Sequence, residues 1–162
     1  MENVDNPDYW LARTRWKPRC LLVLAELWFS QGDSETANSY LRKLDDHGFV
    51  ERFPFRKYQV RVGRLRGMMH SAQGRYDEAE AEMKQALQRA QSLGNPYQQW
   101  NTHQALGNLL IAAGKAKMAE KQFRGALEVV REVAGGLTDP ELKAGFLKSE
   151  PIRQVFAQAD AI

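Results

Sequence analysis

The sequence is short of cysteine, histidine, long apolar runs and alternating strand patterns, and each shortage excludes a class of protein. Its one cysteine, Cys20, rules out an intramolecular disulfide and a cysteine-built zinc site. Set in an apolar run, that thiol is expected in the core rather than reactive. The histidines His47, His70 and His103 stand alone, without partners at metal-ligand spacing, so each is expected at a helix surface or boundary and no metal site is expected. No apolar run approaches the ~20 residues that span a membrane. The acidic opening Met1-Glu2-Asn3-Val4-Asp5 lacks the apolar segment of a secretory signal. The run from Gly107 to Gly114-Lys115 fails as a phosphate loop: its glycines are seven apart, and Ala116 stands where Ser or Thr would bind magnesium. No cofactor and no catalytic constellation is therefore expected, and the chain is read as non-enzymatic. Hydrophobic content of 43% and charged content of 27% over 162 residues suit one globular domain with a sizeable core, expected in the cytoplasm.

What the sequence does have is helical periodicity. In residues 73–93 the small and apolar side chains fall at Tyr76, Ala79, Met83, Ala86, Ala90 and Leu93, a 3,4,3,4,3 spacing that predicts a helix with one buried face. Glu78, Glu80, Glu82, Lys84, Gln85, Gln88 and Arg89 make the opposite, solvated face. Gly74, just before it, reads as the left-handed end of an earlier helix. The same phrase recurs around Gly32 with Ala37, Tyr40, Leu41 and Leu44, and around Gly114 with Ala119, Phe123, Ala126, Leu127 and Val130. The three glycines are 42 and then 40 residues apart, and each precedes the first buried alanine by five. A fixed offset at a near-constant period is the mark of a repeat array.

In Leu106-Gly107, Gly114, Ala119, Phe123 and Ala126 the chain resembles the tetratricopeptide repeat (TPR) family. The middle repeat matches at Gly67, Gly74, Tyr76, Ala79 and Ala86, with Arg66 where leucine is usual. The first matches at Leu24, Ala25, Trp28, Gly32 and Ala37, with Leu44 in place of the second alanine. The resemblance covers about residues 18–134 and implies an all-α fold, an α-α superhelix: a TPR-like solenoid of about three helix pairs plus terminal capping helices. HEAT or armadillo-like repeats lie nearer this period but lack the Gly-to-Ala turn spacing.

Element by element, residues 1–17 read as a lead-in helix, with Asn6-Pro7-Asp8 as its start and Tyr9, Trp10, Leu11 and Trp16 as its apolar side. Helix A of repeat 1 is expected over Arg19–Gln31, apolar nearly all round, and helix B over Ser34–Asp46 behind an Asp33 cap. The aromatic connection from Phe49 to Phe55 is expected to fold back on the core. Helix A of repeat 2 is expected over Phe55–Gln73 with Phe55, Tyr58, Val62, Leu65, Met69 and Ala72 buried. Asn95-Pro96-Tyr97-Gln98 opens repeat 3 with a cap, a first-position proline and a capping-box glutamine. Its second helix should stop at Gly135-Gly136. Residues 135–162 then read as two capping helices, one started by Asp139-Pro140 and one after Pro151. The apolar N-terminal stretch gives the whole the look of a piece of a larger protein, since solenoid ends need polar caps.

Charge placement is the informative chemistry. Residues 10–66 hold twelve Lys/Arg against six Asp/Glu, and residues 67–162 hold eleven against eleven. Arg52, Arg56, Lys57, Arg61, Arg64 and Arg66 cluster within fifteen positions. Lys57, Arg61, Arg64 and Met68 share one face of their helix. The resemblance implies that such positions line a concave groove, joined there by Arg19, Leu22, Glu26 and Phe29 from repeat 1 and by Asn101, Gln104, Asn108 and Ile111 from repeat 3. Arginine and asparagine in such a groove suit a peptide backbone and its carboxylates. The lysine–asparagine clamp that some TPR domains use for chain ends is not reproduced, because Arg64 is followed by Met68 and Asn108 is preceded by Gln104.

The expectation is a non-catalytic protein–protein interaction module that presents a concave groove to a protein or peptide partner, with acidic partners suited to its arginines. Ala86-Leu87 through Asn95-Pro96, and Leu137-Thr138-Asp139-Pro140-Glu141-Leu142-Lys143 with Phe146-Leu147, resemble the C-terminal TPR regions of large bacterial signalling ATPases and transcriptional regulators. That resemblance implies a sensor or scaffold role. Two other readings are a homodimer through the apolar N-terminal helices and nucleic-acid binding through the Arg52–Arg66 cluster. A net charge of +3 without interleaved aromatic platforms weighs against the second.

Overall fold

The computed structural model describes residues 16–46 and 56–161. The lead-in helix expected over residues 1–17, but for its last two residues, and the aromatic connection 47–55 lie outside the described residues, as do the side chains of Arg56 and Lys57. Among the described residues there are eight helices and no strand. They are α1 (Lys17–Ser30), α2 (Ser34–Asp46), α3 (Arg56–Ala72), α4 (Tyr76–Ser92), α5 (Pro96–Ala112), α6 (Ala116–Gly136), α7 (Pro140–Lys148) and α8 (Glu150–Asp160). The helices pair as α1/α2, α3/α4 and α5/α6, and α3 packs against both α1 and α5, so the pairs stack in chain order. This is the all-α TPR-like superhelix expected from the repeat pattern.

Each pair is joined by the same turn. Gly32, Gly74 and Gly114 have φ of 86°, 73° and 72°, the left-handed region that an L side chain avoids. Gly114 N–H donates to the Ile111 carbonyl at 3.0 Å, and Lys115 N–H reaches back to the Leu110 carbonyl at 2.8 Å. Gly74 with Arg75 and Gly32 with Asp33 repeat that pair of bonds, the Schellman arrangement that satisfies a helix's last carbonyls. Asp33 then caps α2 by accepting from Thr36 N–H at 2.9 Å, and Asp139 caps α7 by accepting from the Glu141 and Leu142 amides.

Within each pair, small residues let the backbones close. A Cβ placed on Gly107 would lie 2.6 Å from the Phe123 ring, and one on Gly67 would lie 2.5 Å from Met83 Cγ. Ala25 and Leu41 hold the same two positions in the first pair and are buried in one cluster. The core follows the array: one cluster joins α1, α2 and α3, another α4, α5 and α6, and a third packs Ile152 and Val155 of α8 against Trp100, Ala126, Leu127 and Val130.

Several expectations change. Cys20 is exposed, not core. Leu21, Leu22 and Ala25 face α2 and α3, whereas Cys20, Val23 and Leu27 lie on the turned-away side of a helix with more apolar residues than one stripe can bury. Ala72 is exposed and Val60 is fully buried in its stead, against Ala86 and Ala90. α6 ends at Gly136, within the glycine pair expected to stop it, and Pro151 sits in the first turn of α8, where its missing N–H costs nothing. Glu80, expected in solvent, is 9% exposed. Lys115 and Lys84 each approach one of its carboxylate oxygens at 2.7 Å. Lys115 stands at the start of α6, so this contact ties repeat 2 to repeat 3.

Two outcomes follow from these contacts. Gly107→Ala is expected to destabilise the fold by about 1–3 kcal/mol, because the Phe123 ring has nowhere to retreat. Gly145→Ala, in α7 with open space around it, should instead stabilise by about 0.5–1 kcal/mol; urea unfolding of both variants measures the contrast. The lysine hydrogen bonds hold the Glu80 carboxyl below its ordinary value of 4.5. Its folded-state pKa is thus the lower one, so its stabilisation is present above 4.5 and is lost as pH falls through the folded value. Melting curves across that range should therefore show a steeper acid loss for the natural chain than for Glu80→Gln; parallel curves would remove Glu80 from this role.

Candidate functional site

A cleft of about 520 Å³ opens where the first helices of the pairs, α1, α3 and α5, lie side by side, with α4 and α8 adding to its lining. Its apolar floor comes from Met68 of α3, Met83 of α4 and Leu109 of α5, with Phe29 of α1 at one side. Its polar rim comes from Arg64, Asn101, Gln104 and Asn108, and from Gln154 and Gln158 of α8. Thirteen residues line the cleft, one cationic and none acidic.

Of the groove residues expected from sequence, Arg64, Met68, Asn101, Gln104 and Asn108 come together in this cleft. Arg61 and Glu26 do not line it. They pair with each other across α3 and α1, Arg61 Nε donating to Glu26 Oε1 at 3.0 Å and Nη2 to Oε2, and so cancel most of each other's charge. Arg19 lies apart, its guanidinium 5.9 Å from the Trp16 ring centroid. The Lys57 side chain lies outside the described residues.

Arg64 is held by neutral oxygens. Its Nη1 donates to Gln98 Oε1 at 3.1 Å and to Thr102 Oγ1 at 3.2 Å. Both partners are buried, and the Thr102 hydroxyl donates in turn to the Gln98 carbonyl at 2.7 Å. Burial pushes the guanidinium below its ordinary pKa, the Glu26 charge opposes this, and the neighbouring Arg61 adds to it. Gln98 was expected to close a capping box; only half forms, Asn95 Oδ1 accepting from Gln98 N–H at 3.2 Å, while the Gln98 side chain serves Arg64.

The α8 wall is the part that sequence reasoning missed. Gln104 Nε2 donates to Gln158 Oε1 at 2.7 Å, and Gln158 Nε2 donates to Asn108 Oδ1 at 3.2 Å. These bonds fix the three amides, leaving Gln104 an acceptor and Asn108 its donors for another group. The available signal was the i, i+4 spacing of Gln154 and Gln158 on the polar side of the last helix. A larger hollow, about 630 Å³, lies over α5 and α6 around His103, but lysines and glutamates alternate around it and give no field of one sign. His103 itself is engaged, its Nδ1 2.9 Å from Gln122 Oε1. Among the described residues no three His, Cys, Asp or Glu side chains converge as a metal site.

Two family models, both described as tetratricopeptide repeat, match the chain at residues 61–136 and 18–39. In these stretches the chain is similar to tetratricopeptide repeats. Tetratricopeptide repeats generally mediate protein–protein interaction, and the longer match includes α5 and all but the first turn of α3, the two helices that supply most of the cleft lining. No curated protein and no solved structure matches the chain. No helix among the described residues is long and apolar enough to cross a membrane.

Proposed function

We propose that the three repeats and the C-terminal helices act as one non-catalytic unit that receives a segment of a partner protein in the cleft between α3, α5 and α8. The observation that carries this reading is the lining itself: amides that both donate and accept, one arginine, and an apolar floor rich in methionine, a side chain that adapts to varied surfaces. An extended segment could satisfy its main-chain groups on the amides while seating a side chain on Met68, Met83 and Leu109. The resemblance of the Ala86–Pro96 and Leu137–Leu147 phrases to signalling ATPases supports a sensor or scaffold part of a cytoplasmic signalling or regulatory protein.

The two rival readings have less behind them. Arg61 is paired with Glu26 and Arg66 with Asp45, at 2.6 and 2.7 Å to its two oxygens, while Arg64 turns into the cleft. The described arginines of the basic cluster therefore do not share a surface for a phosphate backbone. Self-association through α1 has Val23 and Leu27, 48% and 47% exposed, in its favour. Two half-exposed apolar side chains are within what a monomer carries.

Ala72 lines the cleft and is exposed, so Ala72→Trp is expected to fill it without disturbing the core. Peptides selected by display on the full chain should bind Ala72→Trp about tenfold or more weakly. They should bind Gln91→Trp, which is exposed in the separate hollow around His103 and not in the cleft, as they bind the natural chain. Equal binding to Ala72→Trp would overturn the reading.

A further inference from the structure

The three described arginines of α3 differ in a way that assigns them different work. Arg61 and Arg66 each hold a carboxylate of this chain through two N–H···O bonds. Arg64 has no carboxylate within ion-pair distance among the described residues, and both of its hydrogen bonds run from Nη1 to neutral oxygens. A guanidinium carries five N–H donors. The Nη1 pair is spent, which leaves the donors on Nε and Nη2 without a partner among the described residues. Those are the donors that form the two-pronged bond to a carboxylate. A partly buried cation without a counter-charge is costly. Here Gln98 and Thr102 hold it in one place, so a ligand need not pay to order it.

We infer that Arg64 is the anchor for an aspartate or glutamate side chain in the interior of the bound segment, whose neighbouring apolar side chain sits on Met68, Met83 and Leu109. The inference rests on the reading of the cleft as the partner-binding groove and names what that groove selects. Charge complementarity supports it, since the cleft has one cation and no acid. The side chain, rather than a chain end, follows from the cleft's extent. Its lining reaches Phe29 of α1 and Gln154 and Gln158 of α8 as well as Arg64, so a segment that fills the cleft extends beyond the arginine.

The test uses the full chain and display-selected peptides that Ala72→Trp blocks, synthesised with amidated ends in paired acidic and amide forms (Asp against Asn, Glu against Gln). The natural chain should bind the acidic form about tenfold or more tightly, and Arg64→Gln should bind both forms alike. Arg64→Lys, which keeps the charge but loses the fork, should retain part of the preference. The paired change Glu26→Gln with Arg61→Gln should leave the preference intact, because that ion pair is already closed. An unchanged preference in a folded Arg64→Gln chain, or no preference at all, overturns the anchor and leaves the groove standing. Recovery of tight binding by the amide form once its C-terminus is free overturns the choice of a side chain. Selected peptides that ignore Ala72→Trp overturn the groove and the anchor together.

Discussion

Ala25, Gly67 and Gly107 on the first helix of each pair face Leu41, Met83 and Phe123 on the second, and the rest of the structure depends on how closely those helices approach. Each small residue stands sixteen positions before its large partner, so the left-handed glycine turn between them sets the register and the small side chain sets the distance. With Gly67 and Gly107 against their partners, no room is left for a Cβ. Close pairs then stack through Val62, Leu65 and Met69 of α3 against the first pair, through Ala79 and Met83 of α4 against Leu106, Leu109 and Leu110 of α5, and through the Glu80–Lys115 contact, and that stacking brings α1, α3 and α5 side by side. The cleft is a consequence of that geometry rather than a separate invention.

Electrostatics decides what the cleft can hold. Of the three arginines of α3 whose side chains are described, two are paired within the chain, Arg61 to Glu26 and Arg66 to Asp45. What remains facing the cleft is one arginine among amides. A surface that looks strongly cationic in sequence is therefore a nearly neutral groove with a single charged point. Such a groove gains more in selectivity than in raw attraction.

The turns and pairings were legible in the sequence because their causes are local. A glycine five residues before an alanine states both the end of one helix and the start of the buried face of the next, and α2 runs over the expected Ser34–Asp46. The changes arose where a partner comes from far along the chain. Glu80 reads as solvated until Lys115, 35 residues later, is placed beside it. Gln98 reads as a cap until Arg64, 34 residues earlier, takes its side chain. Gln158 shares a polar helix side with Gln154 but acquires a role only when Ile152 and Val155 dock α8 on α6. Cys20 shows the limit of composition, since an apolar neighbourhood in sequence does not say which side of a helix the core occupies.

The most direct test of the account is a map of backbone amide shifts as the isotopically labelled chain is titrated with a peptide selected by display. The account predicts the largest shifts at Arg64, Met68, Asn101, Gln104, Asn108 and Gln158, with the outer faces of α2 and α4 quiet. Shifts centred on Val23 and Leu27 of α1, or on the hollow around His103, would contradict it and move the working surface away from the concave cleft.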